Sequence, residues 1–237
     1  MVAQTSLKQV IGSNVALLLS FNGGYVDTAS FLALRGLFAA HVTGNFVTLG
    51  ASLVNGTSGV VAKVLALPVF CLIVVATRLI RYRLQRSNLP VFKSLLLIQF
   101  LLLTVAAVLA VELGPFVNAD HAFALLTGMT LVSAMAIQNA AHRVHLANSP
   151  PSTMMTGTTT QVMLDIADLL YGSDGEARKT TQARIGRLSA TVVAFAAGCG
   201  VAALLYSLVH EQSFYISAAV ALLAALFAPD DVAKVTA

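Results

Sequence analysis

The chain has 237 residues, 57 % of them hydrophobic and only 10 % charged, with a mean hydropathy of +0.83 and a net charge of +4. A soluble globular domain carries about 25 % charged residues, so this composition excludes that class and points to a membrane protein. The two cysteines, Cys71 and Cys199, sit inside apolar runs and offer neither a disulfide framework nor a metal set.

A membrane-crossing helix needs about 20 apolar residues. Runs of that kind fall at 12–34, 58–80, 94–113, 121–142, 188–209 and 213–229, the last at the lower limit of length. They predict an all-α, polytopic membrane protein with about six transmembrane helices. The first run is not read as a secretory signal, because it continues into Asn22-Gly23-Gly24 and Asp27 without a small-residue cleavage site. Trp is absent, which leaves Tyr and Phe to form any interfacial belt.

Two polar segments interrupt this pattern. Thr43-Gly44-Asn45 follows Asp27 by 16 residues, and Thr156-Gly157-Thr158 follows Asn139 by 17. Each opens a polar stripe spaced 3, 4 and 3: Asn45, Thr48, Ser52, Asn55, and Thr158, Gln161, Asp165, Asp168. That spacing places four polar side chains on one face of a helix. Gly44 and Gly157 suit the start of a half-helix, whose free N–H groups form its positive end. The repeat divides the chain into related halves, about 12–113 and 118–229, within one integral membrane domain.

Basic residues set the orientation. Arg78, Arg81, Arg83, Arg86 and Lys93 occupy one connection, and Arg178, Lys179, Arg184 and Arg187 another, whereas the connections near 112–120 and 210–211 hold no Lys or Arg. The first two are predicted to be cytoplasmic. If both Thr-Gly segments span, the basic residues split 7 to 6, with Lys63 set aside. If both re-enter, 12 lie inside and Arg35 alone lies outside. An arrangement in which only the first copy spans also gives 12 to 1. The repeat favours six spans, re-entrant segments, both termini cytoplasmic and halves that are inverted relative to one another, as in many secondary transporters.

The run Gly24-Tyr25-Val26-Asp27-Thr28-Ala29-Ser30-Phe31 with His41-Val42-Thr43-Gly44-Asn45 resembles the signature of the YoaK-like family of bacterial multi-pass membrane proteins, a domain of unknown function. Ile137-Gln138-Asn139-Ala140 followed by Thr156-Gly157-Thr158 fits the same pattern in the second half. Thr28 departs from the Ala expected after the aspartate. The resemblance covers nearly the whole chain and implies a protein of the bacterial inner membrane, with no substrate or activity attached.

The candidate pathway residues are Asn22, Gly24, Asp27, His41, Thr43, Gly44, Asn45, Gln138, Asn139, Thr156, Gly157, Thr158, Gln161 and Asp165. A carboxylate at the depth of Asp27 costs roughly 2.5–3.5 kcal/mol on insertion scales, so it must face protein or water. It reads either as a proton or cation site or as an acceptor for backbone N–H groups. Asn22-Gly23-Gly24 reads as a helix break beside a cavity, with close helix packing as the alternative. His41 titrates near neutral pH or serves as a structural group. His142, Arg143 and His145 read as interfacial anchors. Asp165 and Asp168 bind a cation, neutralise Arg178 or Arg184, or form a solvated face. Ala194, Ala197, Gly198 and Gly200 read as a helix-packing face.

No catalytic or nucleotide-binding motif is present, so an enzyme is not expected, and no cofactor or metal is called for. The expected function is that of a small-solute transporter or channel with a central polar cavity. The alternative is a ligand-binding or sensory membrane protein that moves nothing. The expected partners are the lipid bilayer and a small molecule or ion, with no nucleic acid. Homo-oligomerisation is left open.

Overall fold

The computed structural model describes residues 2–172 and 174–229, with side chains from Gly12 onward. Every regular element among them is helical: α1 (Val2–Ala33), α2 (Asn45–Asn55), α3 (Val60–Arg86), α4 (Val91–Leu113), α5 (Ala122–His145), α6 (Met155–Tyr171), α7 (Gly175–Val209) and α8 (Phe214–Phe227). Short 3-10 turns precede α2 (Val42–Gly44) and α8 (His210–Ser213). Four stretches are long and apolar enough to cross a bilayer: α3, α4, α5 and the run from α7 through α8. The chain is therefore a polytopic helical membrane protein. α1 has the length but is not among these four, and its apolar run carries Asn22, the glycine pair and Asp27.

Several helices extend past the apolar runs read from the sequence. α3 continues to Arg86, α5 to His145, and α7 begins at Gly175, so the basic residues ride on helical extensions. Asn22-Gly23-Gly24 is not a break. α1 runs through it, because the missing Cβ atoms let α7 lie against the backbone.

Small residues set the packing throughout. Ala29, Ala66, Ala106, Ala107, Ala110 and Ala134 are buried in one core with Tyr25, Leu103, Leu131, Met135 and Phe214. Val15, Leu19, Phe92, Leu95, Leu96 and Ala225 form a second core. Lipid tails are as apolar as leucine, so close packing and hydrogen bonds, rather than hydrophobic burial, hold such helices together. α1 packs on α7, α8 and α5; α5 packs on α3, α4 and α1; α4 packs on α8; α2 packs on α3 and α6 on α7.

Two connections fold back along the helices they follow. After α1, the chain returns until Ala40 and His41 lie against Asp27, six residues or about 9 Å below the helix end. Asn45 closes this loop by accepting from the Phe38 N–H and donating to its carbonyl, both at 2.8 Å. α2 then leads away and ends at Gly56, in the left-handed region at φ +64°. After α5, the chain returns until Ser152 meets Gln138 and Thr153 meets Asn139, again about 10 Å inside the helix end. α6 leads away from there. At about 16 and 25 Å, neither α2 nor α6 reaches the ~30 Å of a hydrocarbon core.

Candidate functional site

A cavity of about 1030 Å³ lies between α3, α5, the connection after α5 and the start of α6. Phe70, Val74, Leu79, Leu95 and Leu146 supply apolar wall, and Asn139, Ser152, Gly157 and Thr158 supply polar groups. Arg78, Arg81, Arg143 and His142 line it as well, and among the described residues no carboxylate does. Arg78 donates to the Tyr82 hydroxyl at 3.0 Å and its guanidinium stands 5.0 Å from that ring. The buried Nε of Arg81 has no hydrogen-bond partner. His142 is buried against the turn at Ser149 and Pro150, and neither ring nitrogen makes a hydrogen bond of ordinary geometry. The anchor reading of the 142–145 cluster thus gives way: His142 and Arg143 face the cavity, while His145 stacks on Phe92 at 5.0 Å.

A second hollow, about 640 Å³, lies at the opposite end, against the stripe of α2. Thr48, Ser52 and Asn55 line it with Arg35 and Lys63, and again no carboxylate among the described residues does. Lys63 is buried and donates to the Arg35 carbonyl at 2.8 Å and the Ser52 hydroxyl at 2.9 Å.

The predicted site residues are therefore not gathered at one place. Asp27 is buried beside neither hollow, and its Oδ1 accepts from the N–H of Ala40 at 2.6 Å and of His41 at 3.2 Å. The acceptor geometry is realised at the folded-back loop and not at the Asn22-Gly23-Gly24 segment. His41 and Thr43 are exposed, and His41 lies 6.2 Å from the Phe38 ring. Gly44 accommodates Phe38, whose ring would stand 3.0 Å from an added Cβ. Asn139 accepts from the Thr153 hydroxyl at 2.8 Å and donates to the Met135 carbonyl. Gly157 faces open space, and exposed Thr156 accepts from Thr160. Gly24 belongs to the α1–α7 contact.

Asn22 and Gln138 belong to a fully buried polar cluster between the helices. Gln138 Oε1 accepts from Gln99 at 2.7 Å and from Asn22 at 3.4 Å, and its amide donates to the Leu19 carbonyl and the Ser152 hydroxyl. Gln99, the one amide in the apolar run of α4, escaped the sequence reading. An amide at mid-helix among leucines is the signal that marks it, because a polar side chain at that depth needs a protein partner.

On α6, Asp165 resolves one alternative. Both its oxygens accept from Arg184, at 2.7 and 2.6 Å, and Gln161 donates to it at 2.7 Å. Arg184 lies on the basic start of α7, before its apolar stretch, and holds the Asp165 carboxyl below the usual carboxylate range. Among the described residues no group of three or more His, Cys, Asp or Glu converges as a metal site.

These features define a polytopic helical membrane protein with a basic, largely apolar cavity. Residues 15–227 match the family described as "Protein of unknown function (DUF1275)", and the chain belongs to that family, in keeping with the YoaK-like resemblance of its motifs. No curated protein and no solved structure matches the chain.

Proposed function

We propose that the protein is a small-solute transporter of the bacterial inner membrane, built from two inverted halves. Its six spans are α1, α3, α4, α5, α7 and α8, with both termini cytoplasmic; residues from 230 onward lie outside the described structure. The Thr-Gly segments re-enter from opposite faces. The cavity between α3, α5 and α6 is the substrate vestibule, open to the cytoplasm in this state.

One observation carries the reading: the packing is self-similar. Exchanging α1–α4 with α5–α8 turns the α1–α7 contact into α5–α3, α1–α8 into α5–α4, and α2–α3 into α6–α7, and every one of these pairs is in contact. α4–α8 and α1–α5 exchange with themselves. The folded-back loops correspond as well, anchored by Asp27 in one half and Asn139 in the other. Irregular backbone at membrane depth is tolerated where protein buries it or water reaches it, and each re-entrant helix borders a hollow. Inverted repeats of this kind support alternating access around sites near the midplane.

Two measurements test it. In a chain carrying Cys71→Ala and Cys199→Ala, a cysteine at Thr57 should react with an impermeant maleimide from outside the cell. One at Ser87 should react only after permeabilisation. External labelling at Ser87 refutes the six-span topology. Purified protein in sealed vesicles should then drive solute uptake that Val74→Phe, which fills the vestibule, abolishes. Ligand binding without any uptake would favour a sensory protein.

A further inference from the structure

We infer that the ligand of the inner cavity is an amphipathic organic anion, one acidic head group on an apolar body. The transport reading enters only in calling that ligand a substrate. The cavity is large enough for such a molecule, at about 1030 Å³, and its walls are mostly hydrocarbon. Arg78, Arg81 and Arg143 line it, and no carboxylate among the described residues does. One buried group there has donor capacity to spare, the Arg81 Nε; the ring of His142, 4 % exposed, lies against the Ser149–Pro150 backbone without a hydrogen bond of ordinary geometry. Guanidinium N–H groups pair with planar oxyanions through two parallel bonds, so a carboxylate, sulfonate or phosphate head satisfies them.

Arginine on an inner face follows from topology alone. The outer hollow supplies the independent argument. The outer ends of the proposed spans carry three acidic residues, Glu112, Asp120 and Glu211, and two basic ones, Arg35 and Lys63. Only the basic pair lines the hollow. Asp120 caps the first turn of α3, where its charge also reaches Lys63, and Glu211 accepts from Tyr206. Among the described residues the charged side chains that line both hollows are thus basic, although the surfaces around them differ in charge. A hollow lined by one sign of charge raises the local concentration of the opposite sign.

The test uses the whole protein in a neutral detergent with radiolabelled octanoate as probe and equal-length octylammonium and octanol as competitors. Octanoate should bind saturably and be displaced by unlabelled octanoate, and neither competitor should match it. Arg78→Gln/Arg143→Gln should weaken binding by about tenfold or more, since each removes a charge-assisted bond. Arg178→Gln, on α7 away from the cavity, should leave it unchanged. If the double variant does not fold, Val74→Phe must abolish octanoate binding. Phosphatidylglycerol separates the sources of the head group. Displacement by it identifies a lipid-borne anion, and undiminished binding a soluble one, both within the proposal. Equal displacement by octylammonium or octanol, or full binding in the arginine double variant, overturns it. Octanoate binding without uptake in vesicles removes the transport reading and keeps the ligand class. Vestibule-dependent uptake of octylammonium does the reverse.

Discussion

The α1–α7 and α3–α5 contacts occupy equivalent places in the proposed repeat, yet one is shut and the other holds a cavity. In α1–α7, bare backbone meets bare backbone. A Cβ at Gly24 would run into the Phe195 carbonyl, and one at Gly198 into the Phe21 carbonyl. Counting back from Asn139 as Gly23 and Gly24 stand before Asp27, α5 carries Met135 and Ala136. Side chains stand there where α1 has none, and α3 cannot close in the same way. The difference locates the asymmetry in glycine placement, with the polar stripes common to both halves. A protein that alternates must weaken the glycine seam when it opens outward.

Adding bulk at that seam should have the largest effect. In Gly198→Ala the new methyl stands 2.9 Å from the Phe21 carbonyl carbon and 3.0 Å from the Tyr25 nitrogen, so helix backbone must move. Overpacking of this kind costs about 1–3 kcal/mol, and the backbone clash places it at the upper end. Thermal unfolding in detergent, followed by circular dichroism, should show the loss. Gly200→Ala, one turn-position away and facing open space, should raise stability by about 0.5–1 kcal/mol through helix propensity. Equal behaviour of the two variants would mean that the seam does not hold the halves together.

The starts of α3 and α7 offer a second contrast. The Asp120 carboxylate, from the connection before α5, accepts from the N–H groups of Gly59, Val60, Val61 and Ala62 at 2.8–3.2 Å. Asp174, the residue directly before α7, makes no side-chain cap bond. Asp120→Ala should lose about 2 kcal/mol, because it strands N–H groups at a helix start that a charged acceptor had satisfied. Asp174→Ala should change little. The ordering of the two unfolding midpoints decides whether the start of α3 is pinned and the start of α7 left free.

These contrasts also mark what the sequence conceals. The class and the helices were legible, because hydrocarbon thickness fixes the length of an apolar run and the positive-inside bias fixes its ends. The return of each Thr-Gly loop was legible from its spacing, since Asp27 and Asn139 recur at matching distances. The seam was not. Gly23-Gly24 reads alike as a break or as a contact until α7 is beside it. Asp120 lies some sixty residues from the helix it caps, and no local pattern links them. The arginines of the cavity were legible only as topology markers, because which face of a helix end turns inward depends on its neighbour. Gly200 shows the opposite error: with Ala197 it reads as part of a packing face, but both are exposed and Gly198 alone makes the close contact.

Asp27 and Asn139 form the third comparison. Each anchors its returning loop, Asp27 by accepting two backbone N–H groups and Asn139 by accepting one threonine hydroxyl. Asp27→Asn keeps an acceptor oxygen at the same place and removes the charge, so the fold should survive with a loss of about 1 kcal/mol. Octanoate binding at the distant cavity should be unchanged. Uptake measured across pH assigns the remaining role. Loss of pH dependence in the folded variant identifies Asp27 as a proton carrier, and retained pH dependence leaves it as the strut of the first loop.

The smallest effect is expected at the start of α7, where Asp165 ties α6 to α7, whereas α2 carries no charged residue that could form a matching pair. The Arg184 guanidinium depresses the Asp165 carboxyl, so the folded protein binds that proton less readily than the unfolded chain. The stabilisation is therefore fully present above the ordinary aspartate range near 4 and disappears as pH falls through the lower, folded value. Arg184 is 43 % exposed, which lets solvent screen the pair and keeps its contribution small. Unfolding midpoints of the parent and Asp165→Asn chains should differ slightly at neutral pH and converge below about pH 4. A difference that persisted at low pH would assign the α6–α7 contact to the buried Val162 and its neighbours, with the ion pair contributing nothing.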